Sequence, residues 1–172
     1  MTKLQTSKYF TSGVLSIALT AIIMTPISAV AQKLPTSSYL PLELAQKAAN
    51  AAMKQCKADG FRVSVAVVDR SGSTKVLIKA DGSGPHTVGS STGKAFTSAS
   101  MGRPTAQLAK LIKDKPGLGG LRDMDPRLVI LGGGLPIKIG DSLVGGIGVG
   151  GAPGGHLDEA CAKVGVESIG GK

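Results

Sequence analysis

The 172-residue chain contains no tryptophan, only two tyrosines and only three phenylalanines. It therefore lacks the aromatic platform on which proteins stack single-stranded nucleic acid. Cysteine is almost as scarce, with Cys56 and Cys161 alone and no C-x-x-C pair, and the two histidines, His86 and His156, stand far apart. Those spacings match no structural zinc centre. The longest apolar run, Val14 to Met24, falls short of the roughly 20 residues that a membrane-spanning helix needs, and Pro26 follows it.

That short run has a different meaning. Lys3 and Lys8 precede it, and Ala29-Val30-Ala31 follows it before Gln32. A basic start, a short apolar stretch and an A-x-A site together predict a secretory signal peptide over residues 1–31, cleaved after Ala31. The expected location is therefore periplasmic or secreted, with no stable membrane insertion once the leader is removed. The chain carries a net charge of +9, and losing Lys3 and Lys8 leaves about +7. Export argues against a nucleic-acid partner, and Lys54, Lys57, Lys75, Lys79, Lys94, Arg103, Lys110, Lys113 and Lys115 are spread along the chain as a solvated surface would have them.

Glycine is what the chain has in abundance, 25 in all. Gly146-Ile147-Gly148-Val149-Gly150-Gly151 even meets the G-x-G-x-x-G spacing of a dinucleotide-binding turn. That fingerprint requires a strand before it, a helix after it and a second parallel strand bearing an acidic residue about 20 positions on. Between Gly155 and Lys172 there is room for a helix and for nothing after it, so the crossover unit cannot close.

Periodicity gives the elements. Residues 32–40 read as a flexible lead. Apolar residues at Leu42, Ala45, Ala49, Ala52 and Cys56 predict a helix from Pro41 to Asp59, stopped by Gly60. Val63 to Asp69 and Lys75 to Lys79 predict a hairpin around Arg70-Ser71-Gly72-Ser73. A helix is expected from about Thr87 to Gly102 and a shorter one after Pro104. Strands are expected at 127–131, 135–138 and 143–150, with a terminal helix from Gly155. This order implies one α+β domain over residues 41–172 with a mainly antiparallel sheet. Cys56 and Cys161 each fall on the apolar stripe of a predicted helix. An exported chain could bridge them, while two buried free thiols remain the alternative.

Asp81-Gly82-Ser83-Gly84-Pro85-His86-Thr87, Lys94-Ala95-Phe96-Thr97, Gly133-Gly134-Leu135-Pro136-Ile137, Gly146-Ile147-Gly148-Val149 and Asp158-Glu159-Ala160-Cys161-Ala162 occur in that order along the chain. Together they resemble the GlcG/HbpS family of small haem-binding proteins, from about Leu42 to Ile169. The resemblance implies a profilin-like or longin-like α-β-α sandwich with a five-stranded antiparallel sheet, assembled as a homo-oligomer. It also implies non-covalent haem as the ligand, since there is no C-x-x-C-H attachment site. On this reading the glycines of 145–150 lie in a strand that a helix approaches closely.

His86 is the candidate axial ligand to a haem iron, because a neutral imidazole nitrogen suits that position and the next helix N-terminus would favour a nearby carboxylate. Its alternative role is to cap that helix or face solvent. Thr87 shares its motif. Met101 or Met124 could offer a thioether, and Lys94 and Arg103 could pair with propionates or another anion; His156 reads as surface. Ser90, Ser91 and Thr92 form a polar patch with no G-x-S-x-G elbow, metal-spaced histidines or paired carboxylates beside it, so nothing here resembles a hydrolase. Asp123 and Asp125 could together hold a cation, or lie in a solvated loop. Two further readings stand beside haem binding. One is binding or processing of a small organic acid or aldehyde beside His86, Lys94 and the glycine strand; the other is a ligand-free oligomeric scaffold.

Overall fold

Alanines at Ala45, Ala48, Ala49 and Ala52 and the half-cystine Cys56 fall on one stripe of α1 (Leu42–Ala58), and all five are buried. Small side chains on that stripe let a second helix lie close, and α4 (Gly155–Ser168) does so: a Cβ at Gly165 would sit 2.7 Å from the Ala48 carbonyl. The computed structural model describes residues 34–172, and Thr36–Lys172 form one unit. The expected leader lies outside the described residues.

Beneath α1 and α4 is an antiparallel sheet of β1 (Ser64–Asp69), β2 (Thr74–Lys79), β3 (Gly134–Ile139) and β4 (Ser142–Gly150), in the order β2-β1-β4-β3. Alternation along β1 sends Val65 and Val67 toward α1 and α4, where they join Ile137, Ile147 and Val149 in the main core. Ala66 and Val68 face the other way and pack on Ala95 and Ala99 of α2 (His86–Met101). The sheet is thus covered by helices on both faces. Each fully buried Val or Ile contributes roughly 1.5–3 kcal/mol.

The glycines decide how close α2 can come. Gly146, Gly148 and Gly150 alternate along β4 on the α2 side, and a Cβ at Gly148 would collide with the Ser91 carbonyl and lie 2.5 Å from the Ala95 nitrogen. Backbone therefore meets backbone along this seam. The nucleotide-like spacing belongs to a packing surface, with Gly151 at φ +131° turning the chain off the strand.

Among the described residues the sheet has four strands rather than the expected five, and 127–131 do not form one. Residues 127–131 are irregular because side chains satisfy their backbone. The Val129 N–H donates to Thr97 Oγ1 (2.8 Å), and Thr105 Oγ1 donates to the Leu131 carbonyl (2.5 Å). The segment packs where α2 meets α3 (Thr105–Asp114), and Gly93 of α2 provides space for Val129.

Cys56 and Cys161 form a disulfide with their Cα atoms 5.5 Å apart. It joins α1 to α4 within the main core, across 105 residues of sequence. The helix stripes had predicted both positions, and the helix pair brings them together.

Candidate functional site

The loop before α2 is stitched to itself. Ser83 donates from both its N–H and its hydroxyl to the Ala80 carbonyl (3.2 and 2.8 Å), and Lys79 Nζ donates to the Ser83 carbonyl (2.6 Å). Thr87 Oγ1 reaches back to the Gly84 carbonyl (2.7 Å) and lies 2.7 Å from Ser64 Oγ of β1. Thr87 is 1 % exposed, so its role is to fasten the start of α2 to the sheet. His86, beside it, is exposed. Its ring lies against Gly84, where an added Cβ would be 2.6 Å from Cε1 and 3.7 Å from Nε2. Gly84 is thus a seat for the imidazole, with Nε2 the nitrogen farther from that seat.

The same loop borders a cavity of about 460 Å³ through Ala80 and Asp81. Met53, Phe61 and Ile78 give it an apolar wall, and Lys57, Arg62 and Lys79 line it as well. Arg62 also packs over Gly82, where a Cβ would be 3.2 Å from its Cδ. An imidazole at a helix N-terminus, near cations and an apolar wall, is a donor set that suits a planar, anionic, iron-bearing ligand bound at the surface. Sequence spacing does not single out Lys57, Arg62 or Lys79 for this role, since charges dispersed along a chain carry no sign of convergence.

Lys94 lies elsewhere. It is 3 % exposed, and its ammonium donates to Asp158 Oδ2 (2.8 Å) and to the Val149 carbonyl (2.9 Å). Asp158 Oδ1 accepts the Ala152 N–H (3.0 Å). The ion pair therefore ties α2, the end of β4 and α4 together inside the protein. Lys94 does not share an open pocket with His86, about 12 Å away along the helix at 1.5 Å per residue, and its charge is already matched. Asp158 is a key residue that sequence spacing could not pair with Lys94, being 64 positions away.

Met101 and Arg103 lie at the other end of α2. His86 is its first residue and Met101 its last, about 22 Å apart along the axis. Met101 packs against the small cluster of Leu108, Ile112 and Ile130, so within one subunit it cannot meet an iron held by His86. Arg103 follows the left-handed Gly102 and is exposed. Met124 is also exposed.

The remaining candidates resolve into structural roles. Asp125 grips Arg127 with both oxygens (2.9 and 2.6 Å), and Arg127 lies 4.0 Å from the Phe96 ring centre. The bonded guanidinium holds the Asp125 carboxyl down at about 2, and that engagement leaves no shared cation site with Asp123. Gly89-Ser90-Ser91-Thr92-Gly93 has G-x-S-x-G spacing, but it lies within a helix rather than on a strand-to-helix turn. Ser91 is buried and, like Thr92, donates to the Val88 carbonyl. It is no hydrolase nucleophile. His156 is exposed near the start of α4.

Residues 40–167 match a family model described as haem degrading protein, HbpS-like. The chain belongs to the HbpS-like family. It is similar to a double Glu-to-Asp variant of Streptomyces reticuli HbpS, at 44 % identity and a TM-score of 0.74 over 83 % of this chain and 95 % of that one. It is also similar to Klebsiella pneumoniae ORFY, of the DUF336 family, at 25 % identity and a TM-score of 0.76 over 83 % and 98 % of the two chains. A PduOC:heme complex shares the fold at 23 % identity and a TM-score of 0.72, over 78 % of this chain and 98 % of its own.

Proposed function

We propose that this HbpS-like protein is exported and binds haem reversibly, with His86 supplying the axial nitrogen. The observation that carries the reading is the exposed imidazole seated on Gly84 at the start of α2, at the end of a loop whose Ala80 and Asp81 border a cavity lined by Lys57, Arg62 and Lys79. Family membership and the haem named for the PduOC neighbour support the ligand's identity. When bound, haem would supply the iron chemistry. The chain's own residues would orient it: His86 through iron, the helix N-terminus and the cavity cations through its propionates.

The profilin-like or longin-like description suits a sheet covered by helices on both faces, here with four strands. Export is supported by the expected leader and by the Cys56–Cys161 bridge, a bond that persists in oxidising compartments. His86 stands on an open surface, so a second subunit would give a bound haem the cover that one subunit lacks. Homo-oligomerisation is therefore part of the proposal. A titration of the purified protein with hemin tests it: a saturable Soret band is expected, lost or shifted in His86→Ala and kept in His156→Ala. Equal spectra and affinities for wild type and His86→Ala would remove His86 from the reading.

A further inference from the structure

At the end of the molecule away from His86, two cavities of about 310 and 470 Å³ share Pro104, Pro136 and Lys172 as lining and run along the outer edge of β3. The first is floored by Leu135 and the 3 % exposed Val166. The second is bordered by Arg103, Lys138 and Gln107, with Asp141 as its acid. Among the described residues, Arg103 and Lys138 form no ion pair. The first turn of α3 opens onto this second cavity, with Pro104 and Gln107 in its lining, and adds the positive end of a helix dipole.

This edge is poorly suited to receiving another strand. Thr105 Oγ1 takes the Gly134 N–H (2.9 Å), Pro136 has no N–H to offer, and the Lys138 carbonyl already accepts the Lys172 N–H (3.0 Å). A ligand here must be held by side chains, by apolar contact at one end and by cations at the other.

We infer that this groove is a second ligand site, for a small carboxylate with an apolar body. Its carboxylate meets Arg103, Lys138 and the N-terminus of α3. Its body lies over Leu135, Pro136 and Val166. The site is separate from His86 and does not depend on haem binding.

Decanoate is the linear probe, 1-naphthoate the planar one, and acetate the control that lacks an apolar body. Calorimetry should show saturable binding of decanoate or naphthoate and none of acetate, with amide shifts in an NMR titration confined to the neighbourhood of Gln107, Lys138 and Val166. Arg103→Glu and Lys138→Glu alter side chains without ionic partners, so their urea midpoints should match wild type. Each should weaken binding at least tenfold, and His86→Ala should leave it unchanged. The inference is overturned if neither probe binds, if charge reversal leaves affinity intact, or if His86→Ala abolishes probe binding. Loss of the hemin Soret band in His86→Ala bears on the haem reading alone, so the two can fail separately.

Discussion

Lys94 Nζ lies 2.8 Å from Asp158 Oδ2, with each side chain 4 % exposed. Every remaining partner of this pair is backbone: the Val149 carbonyl and the Ala152 N–H, both near the exit of β4. Gly133, at φ +114°, makes room for it, since a Cβ there would be 2.6 Å from Asp158 Cβ and 3.0 Å from Lys94 Nζ. Removing one charge leaves the other buried and unmatched. Lys94→Met or Asp158→Asn should therefore each cost about 3–5 kcal/mol in urea unfolding. The double variant should cost far less than the sum, because neither charge is then stranded. Additive losses would mean that the two residues act independently.

The seam between α2 and β4 makes a second, sharper demand. At Gly148 an added methyl meets the Ser91 carbonyl and the Ala95 nitrogen, both backbone and both fixed by the helix. Gly148→Ala should destabilise by about 3 kcal/mol or more, the upper part of the range for overpacking, because no rotamer change can relieve it. Gly119→Ala, where nothing lies within 4 Å, should change stability by no more than about 0.5 kcal/mol. Thermal melts of the two variants side by side separate close packing from a general effect of adding a side chain.

These cases show where the sequence was legible. The α1 stripe and the first hairpin rest on local spacing, and local spacing survives folding. The segment 127–131 looked like a strand because Leu128, Val129, Ile130 and Leu131 are apolar and branched. Its backbone instead found hydroxyl partners on Thr97 and Thr105, more than 20 positions away. Lys94 looked like surface charge for a similar reason, its partner Asp158 being 64 positions away. Its helix held one clue. Gly89, Ser90, Ser91, Gly93, Ala95, Ser98 and Ala99 are small residues on several sides, as a helix enclosed by its neighbours requires, and a lysine within such a helix needs a buried partner. At the proposed haem site His86 was legible from its motif, whereas Lys57, Arg62 and Lys79 come together only through the fold.

The disulfide should be the largest single covalent contribution to stability. Cys56 and Cys161 are 105 residues apart, and closing a loop of that size limits the unfolded chain by about 4–5 kcal/mol in the loop-entropy model. The Cys56→Ala, Cys161→Ala variant should lose about that much against the oxidised protein. Wild type treated with a thiol reductant should behave like the variant. If the oxidised and reduced proteins unfold at the same urea concentration, the bridge adds nothing to the packing of α1 on α4.

Acid should act measurably on the clasp between Asp125 and Arg127. The hydrogen-bonded guanidinium holds the Asp125 carboxyl at about 2, below its ordinary 3.8. A carboxyl depressed in the folded state stabilises above its unfolded pKa, and that contribution is lost as pH falls from about 4 through 2. The Asp69 carboxyl is lowered as well, chiefly by the Ser71 hydroxyl, and acts in the same direction. Asp125→Asn should therefore flatten the fall in stability between pH 4 and pH 2 without abolishing it. The direct reading is the carboxyl carbon shift of Asp125 followed by NMR, whose midpoint should lie well below that of an ordinary aspartate. Molar salt should raise the midpoint only partly, since the main cause is a short directional bond rather than long-range attraction. A midpoint near 3.8 at low salt would mean that the clasp is open in solution and that Arg127 is free to leave the Phe96 ring.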